Sequence, residues 1–136
     1  MRTMLRGKIH RATVTQADLH YVGSISIDEA LMDAAGIAEW EQVHVLDITN
    51  GERLITYAIP APAGSGVICI NGAAAHLVHP DDLVIILNYE GVPEERVADH
   101  RPRLIHVDMK NRTIEHTDHI EFGSRYVAVS SEEASR

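Results

Sequence analysis

Apolar and polar positions in this chain alternate with a period of two more often than they recur every three or four residues, so short β-strands are the dominant expectation. Residues 4–15 mix β-branched and basic side chains, with Ile9, Thr13, Val14 and Thr15 among Arg6, Lys8 and Arg11. That reads as a strand with one polar face, on which Lys8 and His10 point the same way. Residues 21–27 make a second short strand that puts Ser24 and Ser26 opposite Ile25 and Ile27. Residues 43–48 and 53–59 flank Asn50-Gly51, the pattern of a hairpin whose two central residues take positive φ. The return strand sorts by parity, with Arg53, Ile55, Tyr57 and Ile59 on one face and Leu54, Thr56 and Ala58 on the other. Unbroken apolar runs at 67–70 and 83–87 predict buried strands, and 104–107 predicts one more. Cys69, inside the first of these runs, reads as an inert core thiol. Helical spacing stands out once, over 29–35, with Asp28 as N-cap, Gly36 as terminator and Leu31 and Ala35 as the buried stripe. Residues 60–66 read as a loop, 79–82 as a turn and 91–96 as a loop with one helical turn. After Asp108 the pattern fades, a tail from about 117 reads as flexible, and 130–136 as mobile. Six or more short strands with few helices predict a compact, mainly β barrel.

Composition narrows this picture. A length of 136 residues suits one domain, and aromatics at 4% leave the core to Ile, Val, Leu and Ala. A net charge of −8 argues against a nucleic acid or an acidic membrane as partner. Cys69 is the single cysteine, which excludes an intrachain disulfide. The absence of a secretory pattern makes a cytoplasmic location the expectation. No apolar run is long enough for a membrane span.

Candidate chemistry is sparse. His76 and His79, like His116 and His119, are three apart, but neither pair has a recognisable third ligand, so no metal is expected. Gly64-Ser65-Gly66 opens no helix and lacks the spacing of a phosphate cradle. Gly23-Ser24 lacks the second glycine of a nucleophile elbow. It does allow another reaction. Gly23 has no Cβ, which opens its carbonyl to attack and lets it take strained dihedrals, and the Ser24 hydroxyl is placed to add there. The amide would become an ester, and elimination would break the chain, leaving a dehydroalanine that hydrolyses to a pyruvoyl group. Elsewhere, Arg53 and Tyr57 share a strand face and can meet one small anion. The small residues and first amides of Asn71-Gly72-Ala73-Ala74-Ala75-His76 let a carboxylate approach the backbone. Taken one at a time, Lys8 also reads as an exposed strand lysine and Arg53 as a rim arginine against a tyrosine.

Together, several segments resemble one family. They are Arg2-Thr3-Met4-Leu5 with Lys8-Ile9-His10-Arg11, then Ala17-Asp18-Leu19-His20-Tyr21-Val22-Gly23-Ser24. Further on come Thr49-Asn50-Gly51, Arg53 with Thr56-Tyr57-Ala58-Ile59, and Asn71-Gly72-Ala73-Ala74-Ala75-His76. The family is that of the pyruvoyl-dependent aspartate 1-decarboxylases, which make β-alanine for pantothenate, and the likeness runs from residue 2 to about 88. It implies a six-stranded double-psi β-barrel and a homotetramer with sites between protomers. It also implies a zymogen that cuts itself into a β chain, 1–23, and an α chain, 24–136, with Ser24 converted to the pyruvoyl. Neither a metal nor pyridoxal phosphate is implied, because the electron sink comes from the chain itself.

Roles carried over by the resemblance are as follows. Ser24 forms the Schiff base with L-aspartate, and Tyr57 returns a proton to Cα after CO₂ leaves. Arg53 and Lys8 hold the substrate carboxylates. Thr56 binds substrate and assists cleavage at Gly23, while Asn71, Gly72, Ala73 and Ala74 orient the substrate. A maturation partner enters as a candidate helper for cleavage. Two other readings stand beside this one: an uncut barrel serving as a binding or assembly module, and a pyruvoyl decarboxylase for another acidic amino acid.

Overall fold

The computed structural model describes residues 1–123. Its strands are β1 (Arg2–Thr13), β2 (Gln16–Asp18), β3 (Ser24–Asp28), β4 (Gln42–Asp47), β5 (Arg53–Ala61), β6 (Ile68–Asn71), β7 (Leu83–Val92), β8 (Arg103–Val107) and β9 (Thr113–Thr117). One α-helix, α1 (Glu29–Ala35), follows β3, and 3-10 turns cover Gly72–His76 and Glu94–Asp99.

The strand order is β2-β6-β3-β5-β4-β7-β1-β8-β9. Because β1 runs into β2 through Val14 and Thr15, one continuous stretch of chain pairs with β7 along its first part and with β6 along its second. Thr15 makes the join: its N–H donates to the Ile68 carbonyl at 2.8 Å, and its Oγ1 accepts from Ile68 N at 3.0 Å. The sheet therefore closes on itself as a six-stranded barrel of β1/β2, β6, β3, β5, β4 and β7. Strands β8 and β9 continue the sheet outward from β1. The mainly β double-psi barrel with short helices anticipated from the sequence holds. The larger number of strand segments arises because the first barrel strand is broken in two and because β8 and β9 lie outside the closed wall.

Alternation decides which face each strand buries. Ile9, Ile25, Ile27, Val43, Val45, Ile68, Ile70, Val84, Ile86 and Ile105 fill the interior and are sealed from water. Each such side chain stabilises the fold by roughly 1.5–3 kcal/mol. The helix forms as the pattern indicated. The Asp28 side chain accepts from Ala30 N, Gly36 ends the helix in the left-handed region, and Leu31, Met32 and Ala35 are buried.

Several expectations change. Strands β4 and β5 do pair antiparallel, but only Gly51 of the Asn50-Gly51 pair has positive φ. The turn over Thr49-Asn50-Gly51-Glu52 forms, but Asn50 keeps a negative φ where the Asp47 side chain accepts from Thr49 N and Asn50 N. Pro60 and Ala61 belong to β5 rather than to a loop, pairing with Ile27 and Asp28. The missing N–H of Pro60 costs nothing there, since β4 has already stopped at Gln42, opposite Tyr57. Cys69 alone in strand β6 is not fully buried, because its side chain takes the outer face beside Ser26, so it is a partly buried thiol and not a core one. Strand β7 runs on to Val92 by pairing with Arg2–Leu5 across a register shift that apolar content does not reveal. Strand β9 lies where the sequence pattern had faded. The mobility expected of 130–136, and the tail expectation from 124 onward, lie outside the described residues.

Candidate functional site

Ser24 opens β3 with its side chain on the outer face of the barrel wall, because Ile25 and Ile27 take the inner one. It is nevertheless only 3% exposed. Its cover comes from the chain before it and from β6 beside it. Strands β3 and β6 are antiparallel, with Ser24 opposite Asn71 and Ser26 opposite Cys69. These four side chains share the outer face and bond to one another. Asn71 Nδ2 donates to Ser24 Oγ at 3.0 Å and to Ser26 Oγ at 3.1 Å, while Cys69 Sγ donates to Asn71 Oδ1 at 3.2 Å. Ser24 Oγ in turn donates to the Val22 carbonyl at 3.3 Å.

The segment leading into Ser24 lies on the surface, with Tyr21 and Val22 largely exposed. Gly23 does not occupy a glycine-only conformation; its φ is not positive, and a Cβ built there would meet nothing within 4 Å. The strain expected at Gly23 is thus absent. The constrained glycine is Gly72, at φ +72, where a Cβ would sit 2.7 Å from Gly23 Cα, 3.0 Å from Gly23 N and 3.2 Å from the Tyr21 carbonyl oxygen. Gly72 lets the chain's own 21–23 segment lie close beside β6.

Tyr57 lies on the strand next to Ser24. In the parallel β3–β5 pair Ile25 faces Ala58, so one step earlier Ser24 and Tyr57 stand at the same level. The Tyr57 ring stacks on Trp40, with centroids 5.9 Å apart and planes 28° apart. Arg53 sits on the same outer face, exposed and without an ion pair among the described residues. Thr56 has the opposite parity, shared with buried Ala58, and no hydrogen bond joins it to Gly23 among the described residues. Ala73 is exposed and Ala74 half-buried in the 3-10 turn after Asn71.

Lys8 is not brought to this cluster. Its Cα partner is Leu87, Leu87 pairs with His44, and His44 pairs with Ile55. Strand β3 lies one step beyond β5, so Lys8 and Ser24 are four strand spacings apart, about 19 Å along the wall. Half-buried and without an ion pair among the described residues, Lys8 has its pKa lowered by desolvation. Next to it on β1, His10 lies against His106, with ring centroids 5.0 Å apart. Burial first, then the charges of Lys8, His106 and Arg11, bring His10 down to about 4, so it is neutral at physiological pH.

The sequence pointed to Ser24, Gly23, Tyr57, Asn71 and Gly72, and the fold brings these together. Ser26, Cys69 and Trp40 also belong to the cluster. The serine parity was visible beforehand; the register that sets Asn71 opposite Ser24 and Cys69 opposite Ser26 was not. Among the described residues no group of three or more His, Cys, Asp or Glu is arranged to hold a metal ion.

A family model described as aspartate decarboxylase matches residues 1–114. Among solved structures, the rationally designed mkDPBB_sym_86 protein is similar at 17% identity and a TM-score of 0.43, over 57% of this chain and 90% of that one. The computationally designed msDPBB_sym2 protein is similar at 18% identity and a TM-score of 0.40, over 64% of this chain and 99% of that one.

Proposed function

From the premise that this chain belongs to the aspartate decarboxylase family, we propose that it cuts itself between Gly23 and Ser24 and then converts L-aspartate to β-alanine and CO₂, feeding pantothenate synthesis. The observation that carries this reading is the buried Ser24 hydroxyl with the Asn71 amide nitrogen 3.0 Å away.

The cleavage balances within the chain and one water. Ser24 Oγ adds to the Gly23 carbonyl carbon, the amide C–N bond breaks, and the hydroxyl proton ends on the freed amine. Loss of the Ser24 α-proton then breaks Cβ–Oγ, and Gly23 departs as a carboxylate that keeps Oγ. The enamine left at residue 24 takes up water and releases ammonia, giving a pyruvoyl group. In the uncut chain the Asn71 N–H is directed at Oγ, the atom that would gather negative charge as the second bond breaks.

The pyruvoyl carbonyl supplies the electron sink that an α-amino acid needs when its carboxylate leaves. The site fits it, since position 24 is shielded from bulk water and Asn71 offers a polar contact. Around it, Tyr57 delivers a proton to the substrate Cα, its ring held by Trp40. Arg53 grips the retained carboxylate more tightly than the departing one is held, because strong binding of the latter would stabilise the ground state. Lys8 supplies the second cation, and Asn71, Gly72, Ala73 and Ala74 orient the substrate, whereas Thr56, with the inner parity of β5, is turned away from the face that carries Ser24 and Tyr57. The separation of Lys8 from Ser24 within one chain supports a site completed by a second copy, in a homotetramer working in the cytoplasm.

A denaturing mass spectrum of the purified chain, with and without cell extract to supply any maturation partner, tests the reading. Two fragments split at Gly23–Ser24, together with decarboxylation of aspartate to β-alanine in preference to decarboxylation of glutamate, are the expected result. Ser24→Ala will stay in one piece and form no β-alanine. A wild-type chain that stays whole under both conditions refutes the proposal.

A further inference from the structure

Self-cleavage requires the Asn71 amide to turn its nitrogen, not its oxygen, toward Ser24. A primary amide fits a slot in either orientation, and the flipped form would set a carbonyl against the oxygen that becomes negative. Something must hold the rotation. Two side chains that neither the family resemblance nor the proposed chemistry uses are placed to do so. Cys69 Sγ, from two residues earlier on β6, donates to Asn71 Oδ1 at 3.2 Å, and Ser26 Oγ accepts the second Asn71 Nδ2 hydrogen at 3.1 Å.

Register explains why both reach. Ser24 faces Asn71 and Ser26 faces Cys69 across the antiparallel pair, so the four outward side chains form a rectangle with Asn71 at one corner. Every polar hydrogen and the oxygen of the Asn71 amide are then engaged: one N–H on each serine and the thiol on the carbonyl. Desolvation by burial, followed by the Asp18 charge, raises the Cys69 pKa, so the thiol keeps the proton it donates.

We propose that Ser26 and Cys69 are positioning residues for the cleavage, fixing the Asn71 amide with its nitrogen on Ser24 Oγ. Neither touches the atoms that react; both act through Asn71. The inference rests on the self-cleavage reading above.

The test follows the appearance of the 24–136 fragment over time in Cys69→Ala, Cys69→Ser and Ser26→Ala, with thermal unfolding midpoints measured alongside on uncleaved Ser24→Ala versions. Loss of one hydrogen bond to Asn71 is expected to slow cleavage about two- to tenfold in Cys69→Ala and in Ser26→Ala. Cys69→Ser restores a donor and is expected to cleave within about twofold of wild type, a rescue that loss of packing alone would not give. Should Cys69→Ala fail to fold, Ser26→Ala carries the test. Alanine variants that cleave at the wild-type rate overturn the positioning role and leave the cleavage reading standing. A wild-type chain that never cleaves overturns both.

Discussion

Gly72 and Gly23 make opposite demands on a side chain, although they are neighbours in space. In Gly72→Ala the new Cβ would lie 2.7 Å from Gly23 Cα and 3.0 Å from Gly23 N, both backbone atoms that cannot swing aside. The residue would also have to hold φ +72, which costs an L-side chain about 1–2 kcal/mol. Relieving the overlap adds about 1–3 kcal/mol. The sum, about 2–5 kcal/mol, corresponds to a fall in unfolding midpoint of roughly 6–15 °C for a chain of this size. Part of the overlap will be relieved by pushing residues 21–23 away from β6, which carries the Gly23 carbonyl out of reach of Ser24 Oγ. Gly23→Ala meets no neighbour within 4 Å and no positive φ, so its midpoint is expected within about 1 °C of wild type. Calorimetry of both variants on a Ser24→Ala background, with fragment appearance followed on the Ser24 background, checks the pair. A Gly72→Ala chain that unfolds and cleaves like wild type would refute the packing argument. A Gly23→Ala chain as destabilised as Gly72→Ala would refute the contrast.

Three further outcomes are expected. Asp47 is buried, and burial followed by the adjoining Asp82 carboxyl pushes its pKa up to about 6, whereas the hydrogen bond from Asp47 lowers that of Asp82. A carboxyl raised above its unfolded value binds more protons in the folded state, so its share of stability is present below about pH 4 and lost as pH rises through 6; Asp82 works the other way, losing its share below its unfolded value. Asp47→Asn keeps an acceptor for Thr49 N and Asn50 N, and will exceed wild type by about 1–3 kcal/mol at pH 8, with the gap closing toward pH 4; parallel urea-unfolding curves across that range would refute it. Arg53→Lys loses the planar fork, so kcat/KM for aspartate will fall at least about tenfold while fragment appearance keeps its rate; unchanged steady-state kinetics would remove Arg53 from the carboxylate clamp. Lys8→Ala and Ser24→Ala chains are each expected to be inactive alone but, after mixing and subunit exchange, to recover up to about a quarter of wild-type activity; a mixture that stays inactive argues against sites shared between protomers.

Local rules made part of this molecule legible in advance. The helix was readable because Asp28, Gly36 and the Leu31–Ala35 spacing all act within a few residues of one another. The division of β5 into faces followed from parity alone, and the structure keeps it, with Ala58 inside and Arg53, Ile55 and Tyr57 outside. Where the sequence misled, a partner from far along the chain decided the outcome. Cys69 looked buried because its neighbours Ile68 and Ile70 are, but β6 has one face in the core and the other against Ser26. The Asn50-Gly51 hairpin forms, but a carboxylate three residues before Asn50 gives its turn another shape. Gly23 drew attention because it precedes a serine, whereas the steric requirement falls on Gly72, 49 positions later, because only the folded barrel brings the two backbones together. Strand β9 lacks alternation because it packs on β8 outside the closed wall, where neither face needs to be uniformly apolar.

The same geography separates the two halves of the proposed chemistry. The groups gathered around the proposed cleavage, Gly23, Ser24, Asn71 and Gly72 with Ser26 and Cys69 behind them, lie on two adjacent strands of one wall and the loop and turn that flank them, whereas Thr56 is turned inward on β5. Those groups meet where β3 pairs with β6, so the proposed bond breaking at Gly23 would draw on groups of a single folded chain. The cations suited to a dicarboxylate are spread differently. Arg53 follows the strand next to Ser24, but Lys8 sits on β1, with β7, β4 and β5 between, about four strand spacings around the curve. A substrate the size of aspartate cannot bridge that gap, and no rotamer of a lysine closes it. In the proposed chemistry Lys8 would serve Ser24 of a second barrel whose outer face is laid against the first. Maturation would then depend on the fold of one copy and turnover on the contact between two, with the half-buried ammonium of Lys8, which has no ion pair among the described residues, the charge that one copy would lend to the other.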